Sequence, residues 1–204
     1  MLILLIGPPG VGKGSQLLLL QKALTSKNIK FKYYIFGDEF RRLAKTDKAI
    51  NQKITNGDLI DDDNVNSIFD MLKINPTEIT IIDGYPRSLN QAKHLNKYKH
   101  IIPIFFYTTF EILKNRLLHR RQCQECNYGN NANSAKCYKC NSTKLTTRKD
   151  DNISAIKHRF EEYESITKPI QDYFSSYKHY LEIEANKEFD TIHNIIITHI
   201  MAIL

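Results

Sequence analysis

Apolar residues in this chain fall into two rhythms. Short unbroken runs stand at MLILLI (1–6), ITIID (79–83) and IIPIFFYTT (101–109). A strand covered on both faces needs no polar alternation, so these runs predict buried strands. KFKYYIF (30–36), apolar and aromatic, predicts another. Elsewhere the apolar positions recur every three or four residues, the helical period. FEILKNRLLHRRQC (110–123) carries Leu113, Leu117 and Leu118 on one side. NISAIKHRFEEYESITKPI (152–170) does the same with Ile153, Ile156, Phe160 and Tyr163, until Pro169 ends or kinks the helix. LLLL (17–20), bounded by Gln16 and by Gln21 and Lys22, is far too short for a membrane span and reads as a buried helix face. HYLEIEANKEFDTI (179–192) predicts a last strand, a loop and a last helix.

With 204 residues, the chain suits one core domain with small insertions; its 42% hydrophobic and 25% charged content is ordinary for a soluble globule. MLILLIG is short, lacks a basic leader region and runs into a glycine loop, so a cytoplasmic protein with no membrane partner is expected. The net charge of +7 fits either a nucleic-acid partner or a concave site holding several phosphates. Arginines recur singly inside motif-like stretches and no Lys/Arg block occurs, which favours the phosphate site and no nucleic acid.

The chemistry begins at GPPGVGKGSQ (7–16), directly after the first predicted strand. Gly7, Gly12 and Lys13 have P-loop spacing. Backbone N–H groups must turn inward to meet phosphate oxygens, and Gly10, Gly12 and Gly14 accept the required backbone angles. Lys13 supplies a point charge, and the helix beginning near Gly14 adds its N-terminal dipole. The common P-loop has Ser or Thr where this chain has Gly14; the hydroxyl comes one residue later, at Ser15.

Further along, IIDGYPRSLNQA (81–92) ends a strand in Asp83, placed to hold the waters around Mg²⁺. Gly84 permits the turn and Pro86 fixes it, so Arg87 projects from the carboxyl end of the strand, where open α/β sheets bind ligands. Gly37-Asp38 in IFGDEFRR (35–42) reads as a turn and N-cap before a helix carrying Arg41. Arg116 and Arg120 lie four apart on one helix face without an acid between them, and so face an anion or solvent. All four cysteines form one pattern, Cys123-x2-Cys126-x10-Cys137-x2-Cys140. In a reducing compartment, paired CxxC knuckles read as a structural tetrahedral zinc site rather than disulfides. The loop NYGNNANSAK (127–136) between them is too polar to form its own core. The seven histidines occupy no ligand spacing and are expected at the surface or on helices.

Together these strings resemble the adenylate kinases and related nucleoside-monophosphate kinases. The GxPGxGKG[ST]Q loop, GDxxR, DG[FY]PR-x-x-x-Q, R-x-x-x-R-R, a zinc knuckle, TTRKDD (146–151) and an R-x(10)-R pair cover nearly the whole chain. The resemblance implies a P-loop-type α/β fold: a parallel sheet flanked by helices, with a small helical acceptor-binding insertion and a zinc-containing lid. A core of 1–35, 66–120 and 152–204 would carry an AMP-binding lobe at 36–65 and a lid at 121–151. The implied reaction is ATP + AMP = 2 ADP with Mg²⁺, performed by a monomer. Lys13, Arg87, Arg120, Arg148 and Arg159 would be the catalytic cations. ATP would meet Gly10, Val11, Gly12, Lys13, Gly14, Ser15, Arg116, Arg120 and Lys187, the last through its backbone beside adenine. Ser15 and Asp83 would hold Mg²⁺ through water. On the AMP side would stand Arg41, Gly84, Tyr85, Pro86, Arg87, Arg148 and Arg159, with Gln91 reading adenine. NGDLID (56–61) resembles the family's G-x-L-[VI]-x-D stretch, placing Asp58, Leu59 and Ile60 beside the acceptor base. Phe36 stands where the family has a base-touching threonine, so that contact is lost or replaced by stacking. The lid is abbreviated, without the aromatic-His hairpin, and Tyr128 is the candidate to replace that packing.

Overall fold

The computed structural model describes residues 1–75, 77–148 and 150–204. Five strands make a wholly parallel sheet: β1 (Leu2–Ile6), β2 (Phe31–Ile35), β3 (Ile79–Asp83), β4 (Ile101–Tyr107) and β8 (Leu181–Glu184). Their spatial order is β2-β3-β1-β4-β8. The central β1 and its neighbour β3 are buried at every position, which explains their unbroken apolar runs. Alternation still sorts the two faces. Ile3 and Leu5 pack with α1 (Lys13–Ser26) and α9 (Phe189–Met201), whereas Leu2, Leu4 and Ile6 face α4 (Asp62–Met71) and α8 (Ile170–Ser175). The chain leaves β1 toward one edge and leaves β4 toward the other. A crevice therefore opens above their carboxyl ends, at the topological switch point.

Two excursions frame that crevice. The first holds α2 (Phe36–Leu43), α3 (Lys48–Asn56) and the start of α4; the expected lobe edge at 65 falls inside α4. The second follows α6 (Phe110–Leu118) and is a small antiparallel sheet of β5 (Arg121–Cys123), β6 (Gly129–Asn130) and β7 (Leu145–Thr146). Between β3 and β4 lies α5 (Leu89–His94).

Some local expectations need correction. Gly37-Asp38 is not a turn and N-cap: the chain passes from β2 straight into α2, with Ile35 at the N-cap position. Phe36 is the reason. Its ring is 2% exposed and stacks on Tyr85 at 5.0 Å, and Tyr85 stacks on Phe69 at 4.6 Å. Burying that ring draws the backbone directly into the helix, and hydrophobic gain outweighs turn chemistry. On α7 (Ile153–Glu162) the apolar stripe begins at Ile156, because Ile153 at the first position is 62% exposed. The last turn widens into a π-type turn, Tyr163–Thr167, and Pro169 stands just ahead of α8. Arg116 and Arg120 do not share a helix face either, because α6 ends at Leu118 and leaves Arg120 in the connection to β5.

Candidate functional site

Glycines set the floor of the crevice. Gly10 has φ +81°, and a Cβ there would lie 2.7 Å from Leu117 Cγ, so only glycine lets the loop close against α6. Gly12, at φ 108°, caps α1 and turns its amide end toward the cleft. Lys13 folds back over the loop and donates to Gly7 O at 2.7 Å and Pro8 O at 2.9 Å. Water still touches it, but its ammonium lies deep in the cleft. Desolvation, with Arg87 and Arg120 close by, pushes its pKa down to about 8, and the attraction of Asp83 only partly opposes this. Asp83 is 8% exposed, and burial raises its own pKa against the pull of Lys13 and Arg87. A Cβ on Gly14 would lie 4.0 Å from Asp83 Oδ2. The carboxylate thus lies over the first turn of α1, beside Ser15.

One continuous cleft of about 1310 Å³ joins the glycine loop to both excursions. That exceeds the roughly 300–1,000 Å³ of a site for one drug-sized molecule and suits two nucleotides. Gly10, Val11, Gly12, Lys13, Gly14, Ser15, Arg116, Arg120 and Lys187 all belong to its lining. So do Arg41, Asp58, Leu59, Ile60, Gly84, Pro86, Arg87, Gln91, Arg148 and Arg159, together with Asp83. The structure does not bring Phe36 and Tyr85 to this surface. Both rings are consumed by the aromatic stack, and the Tyr85 hydroxyl donates to Asn66 Oδ1 at 2.8 Å. Their rings therefore turn away from the cleft, and any stacking by the Phe36 ring is internal.

The arginines are held apart by acids that come from elsewhere in the chain. Arg120 grips Asp151 with two prongs, at 2.8 and 2.6 Å, and Asp151 has no exposed side-chain surface. Arg159 reaches Asp150 at 3.2 Å and Asp151 at 3.4 Å. The acid absent between Arg116 and Arg120 in sequence is thus supplied to Arg120 by Asp151, 31 residues further on. Asp150 and Asp151 were visible only as the end of TTRKDD; Lys149 in that string lies outside the described residues. Arg41 pairs with Asp38 at 2.6 Å, and Arg87 donates to Gly84 O at 3.0 Å. Arg116 donates to Ala185 O at 2.8 Å, tying α6 to the loop after β8, where Lys187 is exposed.

Arg148 differs from these. Its buried Nε has no hydrogen-bond partner among the described residues. Burial beside Arg120 and Arg41 drives its pKa down to about 9. The buried Nε of Arg41 is likewise unpartnered there. Crowded, desolvated guanidiniums with orphaned donors are costly unless an anion arrives. Phosphate oxygens fit that need.

Tyr128, half-buried, sends its hydroxyl to Ser15 Oγ at 3.3 Å. It thus meets the glycine loop at the Ser15 end. His158, on a helix as expected, hydrogen-bonds Asp58 Oδ1 at 2.8 Å, and Glu162 accepts from Leu59 N at 3.2 Å. These contacts join the 57–61 loop to α7. The bond to Asp58 is the chief cause of a raised His158 pKa, with Glu162 and Glu161 adding attraction. No spacing in the sequence signalled this pair.

Gln91 is 2% exposed with both amide ends engaged: Oε1 accepts from Arg87 N at 2.7 Å, and Nε2 donates to Asp62 Oδ1 at 2.7 Å.

In the second excursion, the sulfurs of Cys123, Cys126, Cys137 and Cys140 lie within 4.8 Å of one another. The Cys123–Cys140 and Cys126–Cys137 pairs are 3.5 Å apart. A disulfide requires about 2.05 Å. Four thiolates at about 2.3 Å from a tetrahedral zinc are separated by roughly 3.8 Å, so this donor set fits that ion.

A phosphate loop at the switch point of a parallel sheet, facing converging arginines across a two-nucleotide cleft, defines a P-loop phosphotransferase of the nucleoside-monophosphate kinase class. Comparison with known proteins agrees. The adenylate kinase family model matches residues 5–179. An adenylate kinase of Rickettsia prowazekii (strain Madrid E) is 32% identical over 209 residues, covering 95% of this chain and 96% of its own. The adenylate kinase of Rickettsia africae (strain ESF-5) is 32% identical over 201 residues, with 92% of each chain covered. That of Pelagibacter ubique (strain HTCC1062) is 30% identical over 207 residues, covering 94% and 95%. The chain belongs to the adenylate kinase family.

Proposed function

We propose that this protein interconverts ATP + AMP and 2 ADP with Mg²⁺, balancing adenine nucleotides in the cytoplasm. The observation that carries this is the convergence of Lys13, Arg41, Arg87, Arg120, Arg148 and Arg159 on one cleft, with Arg148 and Arg41 holding unpartnered donors among the described residues.

Phosphoryl transfer needs alignment and charge neutralisation more than covalent help. Lys13 would leave the carbonyls of Gly7 and Pro8 for the outer phosphates of ATP. Arg41 and Arg87 would fix the AMP phosphate in line. Arg120, Arg148 and Arg159 would surround the transferred group, the first and last already oriented by Asp151. Backbone at Asp58, Leu59 and Ile60 would border the acceptor base, and the Lys187 loop the donor base. Mg²⁺, carried in with ATP, would supply further neutralisation of the phosphates, with Ser15 and Asp83 holding its water shell. Zinc at the four cysteines would be structural, since all four positions are thiolates. The 36–65 lobe and the 121–151 lid would close over the core of 1–35, 66–120 and 152–204. Closure excludes water that would otherwise take the phosphoryl group. A monomer suffices, because every residue invoked belongs to one chain.

The test is ADP formation from ATP·Mg²⁺ with AMP, CMP, UMP and GMP offered separately. Turnover with AMP alone supports the assignment; a different preferred acceptor moves it to another monophosphate kinase. Lys13→Met and Arg87→Ala should each lower turnover by about two orders of magnitude or more, as loss of preorganised charge does elsewhere. Near-normal rates in either variant would overturn these roles.

A further inference from the structure

Gln91 lines the cleft, but Asp62, the first residue of α4, does not. Asp62 acts behind it. One carboxylate oxygen accepts from Gln91 Nε2 at 2.7 Å, and the other accepts from Ser88 Oγ at 2.8 Å. The Ser88 oxygen in turn accepts from Gln91 N at 3.2 Å. On the opposite side of the amide, Arg87 N donates to Oε1 at 2.7 Å.

These partners make the amide directional. An ionised carboxylate has no proton to give, and a backbone N–H has no lone pair to offer. Turning the Gln91 amide over would set N–H against N–H at Arg87 and oxygen against oxygen at Asp62. Two buried bonds would be lost and two repulsions gained. One N–H and one oxygen lone pair of Gln91 are left for a ligand, on fixed sides. A 6-amino purine offers a donor at its amino group and an acceptor at N1. A 6-oxo purine offers the reverse order. A freely turning amide satisfies either base, whereas a pinned amide satisfies one.

We propose that Asp62 is a positioning residue for base specificity: by pinning the Gln91 amide it makes the acceptor site select 6-amino over 6-oxo purine monophosphates. The proposal rests on the reading of Gln91 as the residue facing the acceptor base. The same pin connects base to phosphate recognition, because the amide that reads the base also holds the backbone of Arg87.

The experiment measures kcat/KM for AMP and for inosine 5′-monophosphate in the zinc-loaded wild type, Asp62→Asn, Gln91→Ala and the double variant. Asparagine can turn together with Gln91, which removes the repulsion at position 62 and leaves only the Arg87 N–H to hold the amide, so the AMP/inosine monophosphate preference should fall several-fold in Asp62→Asn. Most of that change should come from a lower KM for inosine monophosphate, with kcat for AMP within a few-fold of wild type. In the Gln91→Ala background the same substitution should leave the preference unchanged. An equal loss with both acceptors in Asp62→Asn means a purely structural role and overturns the proposal. So does an unchanged preference, or an equal shift without Gln91. If Asp62→Asn does not fold, the wild type decides by comparing AMP, inosine monophosphate and purine riboside 5′-monophosphate, which lacks the 6-substituent. A pinned amide ranks inosine monophosphate below the unsubstituted purine. Inosine monophosphate used as well as AMP overturns the pin. Absence of wild-type turnover with AMP overturns the acceptor assignment itself, and the proposal with it.

Discussion

Lys13 carries a cost that only a ligand removes. Within the cleft its pKa is down to about 8, because burial and neighbouring guanidiniums outweigh Asp83. Nucleotide phosphates at Lys13 would restore the charged form. At pH 7 the lysine is already mostly protonated, so binding draws little on the solvent. Above about 8 each binding event must take up a proton, and affinity falls as pH rises. ATP affinity measured calorimetrically should therefore drop roughly tenfold between pH 7 and 9. Lys13→Met should bind weakly throughout, with most of that slope gone. Asp151 works at the same scale from the opposite side. It is fully buried beneath Arg120 and Arg159. Asp151→Asn removes the charge that orients both, and kcat should fall by about tenfold or more while KM for AMP changes less.

Among the elements, the small sheet of β5, β6 and β7 has little apolar substance of its own; its buried residues include Cys123, and Cys137 is buried beside it. Metal at the cysteines would substitute for a core, contributing on the order of 10–16 kcal/mol in comparable zinc folds. Chelation, or Cys137→Ser, should raise amide hydrogen exchange across 121–146 and lower kcat, while the parallel sheet stays protected. Uniform loss of protection over the whole chain would contradict a lid-specific role. The helices of the other excursion are held differently, by rings rather than sulfur. Phe36 at the start of α2 and Phe69 on α4 both pack on Tyr85 and lie 6.3 Å from each other, so that lobe shares the core beneath the cleft.

At the scale of the whole molecule, the net charge is +7, and the cleft lining contributes an excess of positive charge, ten Lys and Arg side chains against six Asp and Glu. Attraction of a polyanion to such a concave surface is screened by salt. KM for ATP should rise several-fold between low and about 0.3 M salt while kcat holds.

The local chemistry was legible in the sequence wherever function depends on neighbours along the chain. Gly7 to Ser15, Asp83 to Arg87 and the cysteine pairs each need a fixed backbone spacing, and spacing is what a sequence records. Unbroken apolar runs likewise announced β1, β3 and β4, because strands covered on both faces have no polar side. Pairings between distant segments stayed hidden. Nothing near Arg120 names Asp151, nothing near Gln91 names Asp62, and His158 meets Asp58 across 100 residues. Phe36 and Tyr85 sit within the motifs of the site, yet burial draws their rings the other way. Backbone geometry and hydrophobic period determine, from the sequence alone, which groups a segment can offer. Which acid orients which arginine, and which face a ring takes, is decided only when packing brings the segments together.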